Sequence, residues 1–445
     1  MPETRIESRS RLVVRGGTLV DETGERRGDV LIEGGLIAAV DASIEPERGT
    51  RVLEADGCIV SPGLIDLHAH LREPGDEAAE TIETGARAAA LGGYTAVVAM
   101  ANTDPPVDSA AVVRDVMEIA NGAVAEVAIA GAITVGRKGE QLSPLFEMAA
   151  LGVRIFTDDG RGVQDSGVMR RALEYGRDLD VVLAEHCEDE KLSHFGHMHE
   201  GAWSSRLGVP AQPAVAEEAM VARDITLARA TRARLHFLHL STAGSVALVA
   251  AAKREGLLVT AEATPHHLSL TDAELAGYDP RFKMNPPLRS EADVEALRAA
   301  CRAGTLDAIA TDHAPHTEAA KEAPLDEAPP GVIGLETAYA VCHTAFVTES
   351  NGAGPLSYQQ LLAMFSWRPA RIAGLDRSSG QGGPIAAGNH ANICVFDPTA
   401  RWTVGETGFA SRSKNSPFTG KTLTGRVRHT LFRGEAVVTD GVAQR

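Results

Sequence analysis

Histidines and aspartates recur at the ends of apolar runs in this chain, and those are residue types that bind metal ions and move protons. In Asp66-Leu67-His68-Ala69-His70 two imidazoles stand two residues apart. Side chains two apart in a strand share a face, so His68 and His70 can hold one cation between them. A lone His-x-His is a weak signal, since single polar residues after strands usually serve as caps or satisfied contacts. Here the pattern repeats. His186 ends Leu183-Ala184-Glu185-His186, and His239 ends Phe237-Leu238-His239. Asp312 ends Ile309-Ala310-Thr311-Asp312, and Asp158-Asp159 follow Arg154-Ile155-Phe156-Thr157. Four imidazoles and two or three carboxylates on one face suffice for two divalent ions. Such ligands with open positions suit zinc, and also admit manganese, cobalt or iron. Paired ions lower the pKa of a shared water and polarise a carbonyl, while a nearby carboxylate shuttles the proton. That is hydrolytic chemistry on amides, esters or phosphoesters. A closed structural zinc site would favour Cys ligands instead.

These residues need a scaffold that brings distant strand ends together. Eight strand candidates alternate with helical segments: Cys58–Leu71, Tyr94–Ala101, Glu126–Thr134, Val153–Asp159, Val181–Cys187, Leu235–Ser241, Leu258–His267 and Asp307–Pro315. Helices are expected at Glu80–Leu91, Gly167–Arg177, Ala216–Thr231 and Glu291–Arg302. Such alternation predicts a parallel sheet, and eight repeats predict a (β/α)₈ TIM barrel whose C-terminal strand ends form the active-site face. Both chain ends differ in style. Leu12–Arg15, Asp29–Ile32, Leu36–Val40 and Arg51–Glu54 are short strand-like runs, with hairpin turns expected at Gly16-Gly17 and Gly34-Gly35. Ala391–Phe396, Thr424–Phe432 and Glu435–Val438 match them, with a turn at Arg433-Gly434. The expected division is residues 1–61 and 377–445 as two parts of one small β-sandwich domain, and 62–376 as the barrel.

Composition agrees with this picture. The chain has 445 residues, too many for one ordinary domain, and 4% aromatics, which suits a barrel packed with small and branched side chains. A net charge of −17 argues against nucleic acid or anionic membrane surfaces as partners. A small anionic substrate then requires local positive charge. Cys58, Cys187, Cys301, Cys342 and Cys394 are odd in number and scattered, which favours a reducing cytoplasm. Residues 1–10 are polar and charged, unlike a signal peptide, and no 18-residue apolar run occurs.

Two motifs carry a family resemblance. One is Asp66-Leu67-His68-Ala69-His70-Leu71-Arg72-Glu73-Pro74-Gly75. The other is Ala310-Thr311-Asp312-His313-Ala314-Pro315-His316, followed by Lys321. With them the chain resembles the cyclic amidohydrolases, and among these the dihydroorotases of the bacterial class I type, over nearly its whole length. The resemblance implies two zinc ions, one held by His68, His70 and Asp312 and the other by His186 and His239, with an acidic bridge. Many relatives bridge with a carboxylated lysine at the fourth strand. That strand here ends in Asp158-Asp159 without lysine, which places the bridge on Asp159 and leaves Asp158 as the weaker candidate. The implied reaction is the reversible closure of N-carbamoyl-L-aspartate to (S)-dihydroorotate, with Asp312 as general acid and base.

The carboxylate of that substrate needs a cation and hydrogen-bond donors. Arg72 lies two residues past His70 on the same face and is the natural partner; its bland alternative is a surface ion pair with Glu73 or Glu77. The resemblance adds His70, Asn102, Asn285 and His316 as substrate contacts, together with backbone near Pro330 and Gly331. Both asparagines also precede prolines and suit turns. The Pro- and acid-rich segment from His316 to Glu336 reads as a shaped loop or lid, or else a solvated linker. A homodimer and association with an aspartate transcarbamoylase follow from the resemblance alone. Two other functions compete. Hydantoinase, dihydropyrimidinase or allantoinase would share His-x-His but differ at Arg72 and Asp159. A scaffold without activity would be expected to have lost ligands, and all six are present.

Overall fold

The computed structural model describes residues 11–349 and 354–445; the polar stretch 1–10 lies outside the described residues. Eight parallel strands form one sheet: β1 (Leu64–Ala69), β2 (Tyr94–Ala99), β3 (Glu126–Gly131), β4 (Ile155–Phe156), β5 (Val182–Glu185), β6 (Arg234–Phe237), β7 (Val259–Ala263) and β8 (Ala308–Ile309). They neighbour one another in chain order. The sheet curls until its first and last members meet. Ala69 bridges His313, and the His70 amide donates to the His313 carbonyl at 2.8 Å. Parallel strands covered on both faces are buried throughout, and β1, β2, β4, β5 and β8 are buried at every residue.

The connecting helices start where the sequence offers side-chain acceptors. Thr81 caps Ile82–Leu91, Asp165 caps Ser166–Leu179, and Ser290 with Asp293 forms a reciprocal capping box on Glu291–Arg302. Thr242 caps Ala243–Arg254 by accepting from the Ser245 amide. Each cap fixes where a loop becomes a helix, and hence how long the loop above the barrel is.

The expected strand Cys58–Leu71 is in fact two elements. Ile59–Pro62 pairs with Ile393–Phe396 in the flanking sheet, and only β1 enters the barrel. Strands from both chain ends make that flanking sheet, nine in all, and share one core including Leu12, Val14, Ile32, Val60, Ile393 and Leu431. Gly16-Gly17 is not a hairpin turn. The strand Arg11–Asp21 runs through it with a register slip between Val14 and Gly17. Its first half pairs with Arg51–Glu54 and its second half with Ile59–Pro62. A glycine is required there because a Cβ on Gly17 would sit 2.4 Å from Val60 Cγ2. The turns at Gly34-Gly35 and Arg433-Gly434 fall where expected.

The barrel also leans on the loop after β8. A Cβ at Gly92, which ends the helix Ile82–Leu91, would lie 2.0 Å from the Leu335 carbonyl oxygen. Backbone cannot yield as a flexible side chain does. Gly92→Ala is therefore expected to lower stability by about 1–3 kcal/mol, seen as an earlier midpoint in urea unfolding; an unchanged midpoint would show that the loop moves freely.

Candidate metal centre

The expected site residues lie at or just past the ends of the strand ladders. His70 follows β1, Asp159 follows β4, His186 follows β5, His239 lies two residues past β6, and Asp312 three past β8. Freed from the ladder, the chain can turn these side chains inward. His239 and Asp312 sit at φ 32° and 45°, and Arg72 at 62°. Such angles are uncommon for residues with a Cβ, and three of the eleven such residues among those described stand at this site.

Asp159 is at the centre. Its Oδ2 lies 3.4 Å from His68 Nε2 and 3.5 Å from His70 Nε2; its Oδ1 lies 3.4 Å from both His186 Nδ1 and His239 Nε2. Asp312 Oδ1 adds contacts of 3.5 Å to His68 and 3.1 Å to His70. Asp158 turns away and accepts from the Thr134 amide at 3.0 Å and from its hydroxyl. The two groups His68, His70, Asp159 and Asp159, His186, His239 each converge closely enough to hold a metal ion. His68 Nε2 and Asp159 Oδ1 are buried and have no hydrogen-bond partner. Orphaned buried donor atoms of purely N/O type fit a divalent cation.

Electrostatics point the same way. Burial opposes charge on Asp159, but the charge on His68 and the close imidazoles of His186 and His239 hold it well below the usual carboxylate range. Asp312 is likewise held low, against burial, by His68 and His70. Burial disfavours charge on His186, yet Asp159 and Glu188 push it up to about 10. Two buried anions among imidazoles thus demand positive charge at this point. A divalent ion meets that demand while leaving the imidazoles neutral.

Glu262, His236 and Glu188, not anticipated as functional, fix the ring orientations together with the expected Asn102. Glu262, in the middle of β7, accepts from His68 Nδ1 at 3.1 Å and from His236 Nε2 at 3.0 Å. His236 Nδ1 in turn meets the Thr260 hydroxyl at 2.8 Å. Glu188 accepts from His186 Nε2 at 3.0 Å and from Asn285 Nδ2 at 2.7 Å. Asn102 Oδ1 lies 2.8 Å from His70 Nδ1. In each case one ring nitrogen is engaged and the other is left facing Asp159. The one available signal was the charge of Glu262 inside the apolar strand Val-Thr-Ala-Glu-Ala. Further out, Asp66 accepts from the amide and hydroxyl of Thr311, tying β1 to the end of β8. His313 meets Glu80 at 3.2 Å, and His267 meets Thr264 and the Pro286 carbonyl.

Above the centre lies a cavity of about 200 Å³. His70, Arg72, Asn102, Asp159, His186, His239, Asn285, Asp312, His316, Pro330 and Gly331 all line it, and His68 is buried beneath. Arg72 does not pair with Glu73 or Glu77. Glu73 accepts from the Ile82 amide and Glu77 from the Gly75 amide. The Arg72 guanidinium donates to the Pro315 carbonyl at 3.2 Å, and burial lowers its pKa. His316 Nε2 donates to the Pro330 carbonyl at 2.8 Å; burial and the Arg72 charge push this imidazole down to about 3, so it is neutral with Nδ1 free as an acceptor. The His194, His197 and His199 group does not form a metal-binding cluster among the described residues; His199 contacts Arg289.

A closed (β/α)₈ barrel with buried His and Asp at its C-terminal strand ends defines a metal-dependent hydrolase of the amidohydrolase type. Solved structures share the whole architecture. A D-hydantoinase superposes with TM-score 0.85 at 24% identity, over 97% of this chain and 96% of that one. L-Hydantoinase (dihydropyrimidinase) from Arthrobacter aurescens gives 0.86 at 23%, over 98% and 97%. Those likenesses concern the fold. Sequence is more particular: residues 57–245 match the family described as Dihydro-orotase-like. A dihydroorotase from Streptomyces coelicolor is 46% identical over 97% of this chain and 99% of its own length, and one from Pelotomaculum thermopropionicum is 46% identical over the same shares. The chain belongs to the dihydroorotase family.

If Glu262 orients His68, Glu262→Gln should weaken metal affinity by roughly 10–100-fold. Competition with a chromophoric chelator measures this directly, and wild-type affinity in the variant would remove Glu262 from the role.

Proposed function

We propose that this chain catalyses the reversible closure of N-carbamoyl-L-aspartate to (S)-dihydroorotate and water, a step of de novo pyrimidine (UMP) synthesis. The observation that carries the choice of substrate is Arg72, a half-buried guanidinium with a carbonyl but no carboxylate partner among the described residues, lining the metal-centre cavity. A half-buried cation facing a cavity without a counter-ion suits a substrate that brings its own carboxylate. The neighbouring hydantoins and dihydropyrimidines lack that group. Membership of the dihydroorotase family supports the same choice.

Residues 62–376 carry this chemistry, flanked by 1–61 and 377–445. In this reading His68, His70 and Asp312 hold one zinc, His186 and His239 the other, and Asp159 lies between both. When bound, the two ions polarise the scissile carbonyl and make a water acidic enough to attack at neutral pH. Arg72 binds the carboxylate in bidentate fashion and sets the ring's orientation. Asn102, whose oxygen is taken by His70, turns its amide donors to the substrate. Asn285 binds alongside it, and neutral His316 offers Nδ1 to a ring N–H. Pro330 and Gly331 supply shape, because their carbonyls already accept from His316 and from Lys321 and Asn415. In the hydrolytic direction Asp312 takes the proton of the attacking water and delivers it to the amide nitrogen as the ring C–N bond breaks. In the synthetic direction it takes a proton from the ureido nitrogen as that bond forms and returns it to the departing oxygen.

All five cysteines are free and buried, in keeping with a cytoplasmic enzyme, and no described helix is long and apolar enough to cross a membrane. The family resemblance extends the proposal to a homodimer and to association with an aspartate transcarbamoylase, which sedimentation with and without that enzyme measures.

The deciding assay offers metal-replete protein dihydroorotate beside dihydrouracil, hydantoin and allantoin, with zinc measured on the same sample. Turnover confined to dihydroorotate, with about two zinc per chain, is expected; preference for an uncharged ring would sink the proposal. Arg72→Gln should raise KM for dihydroorotate about 10–100-fold, the cost of a lost charge-assisted contact, and leave zinc content unchanged. Asp312→Asn should lower turnover by ~10²–10⁴-fold; near-normal turnover would exclude Asp312 as the acid and base.

A further inference from the structure

Lys321 ends the short helix Glu318–Lys321 in the loop after β8, and its side chain is buried. Its Nζ donates to the carbonyls of Pro329 and Gly331, each at 3.0 Å, and to that of Lys283 at 3.3 Å. An ammonium has three hydrogens and no acceptor, so backbone oxygens take its whole capacity. Placing a cation here is unfavourable. Burial, then repulsion from Lys283, push Lys321 down to about 7, and Asp279 opposes them weakly. An apolar side chain would fill the same volume without that cost.

The three carbonyls come from two separate segments. Pro329 and Gly331 belong to the cavity wall, and Lys283 stands two residues before Asn285, which also lines the cavity. Carbonyl dipoles pointing at one another repel, and the ammonium between them reverses that repulsion. The Gly331 amide also donates to the Lys283 carbonyl at 2.9 Å, and Asn415 donates to the Gly331 carbonyl at 3.1 Å. Gly331 itself sits at φ 134°, and a Cβ there would meet Ala314 Cβ at 2.8 Å and His316 Nε2 at 2.9 Å. The wall is therefore packed close, and its position depends on what gathers it.

We propose that Lys321 is a positioning residue: its ammonium draws the carbonyls of Lys283, Pro329 and Gly331 together and so sets how the Asn285 segment and the Pro329–Gly331 wall, both lining the cavity, sit against each other. It touches no substrate, so its effect falls on binding and not on the chemical step. The kinetic consequence rests on the function proposed above; the effect on the wall does not.

Two variants test this, Lys321→Met, which removes all three donors, and Lys321→Gln, which keeps an amide donor. In metal-replete Lys321→Met, KM for N-carbamoyl-L-aspartate should rise roughly tenfold or more, with kcat per bound zinc within about threefold of wild type. Amide hydrogen exchange across 331–334 should accelerate by about tenfold. Lys321→Gln should fall between, and carries the same criteria if Lys321→Met does not fold. Wild-type KM and wild-type exchange would overturn the proposal. So would a fall in kcat or in folded fraction at unchanged KM, which is what a merely structural lysine would produce. Failure of the wild type to turn over N-carbamoyl-L-aspartate would defeat the functional reading instead, and exchange alone would then decide the role of Lys321.

Discussion

The structure depends on the burial of Asp159. A carboxylate with no exposure to speak of, ringed by His68, His70, His186 and His239, is unfavourable unless positive charge faces it. Three barrel strands, β1, β5 and β6, contribute the imidazoles that satisfy it, and a second carboxylate, Asp312, arrives from β8. The centre therefore couples β1, β4, β5, β6 and β8 through one charge balance. Metal ions are the natural way to complete that balance, because they supply charge while the imidazoles remain neutral ligands.

Orientation is the second requirement, and it is met from outside the ring of ligands. Glu262, Glu188 and Asn102 each occupy the rear nitrogen of one imidazole. Glu262 is itself held by His236, which leans on Thr260. A ring free to rotate would present either nitrogen; one with its rear nitrogen engaged presents a single lone pair. Asn102 and Asn285 reach both the ligand sphere and the cavity, so the groups that orient the centre also line the space for substrate.

The C-terminal segment has a part in the barrel's upper face. Ser411 and the Arg412 amide donate to Glu80, which also meets His313, the residue after Asp312. Asn415 donates to the carbonyls of Ala314 and Gly331 and accepts from the His316 amide. The flanking sheet is thereby joined to the loops after β1 and β8. Hydrogen bonds across 300 residues of sequence, as between Glu80 and Ser411, cannot be inferred from local pattern.

Much of the site was legible because its chemistry is written in short, position-specific strings. His68 and His70 share a strand face by alternation alone, and the run of polar residues at strand ends follows from barrel geometry. Arg72 is singled out by residue type and spacing, and Asp159 is favoured over Asp158 by the family resemblance. Element boundaries were less legible. Cys58–Leu71 reads as one apolar run, and only pairing with Ile393–Phe396 divides it; Gly16-Gly17 looks like a turn and is a bulge because Val60 packs against it. Sequence by itself determined the ligand types, the barrel, and the presence of a cation beside the metal centre. Tertiary structure alone decided that Asp159 and not Asp158 faces the histidines, that Glu262 and Glu188 orient them, and that Lys321 holds a wall of the cavity. The physical reason is that side-chain direction after a strand, and partners brought from distant strands, are set by packing and hydrogen bonding in three dimensions, which local periodicity does not encode.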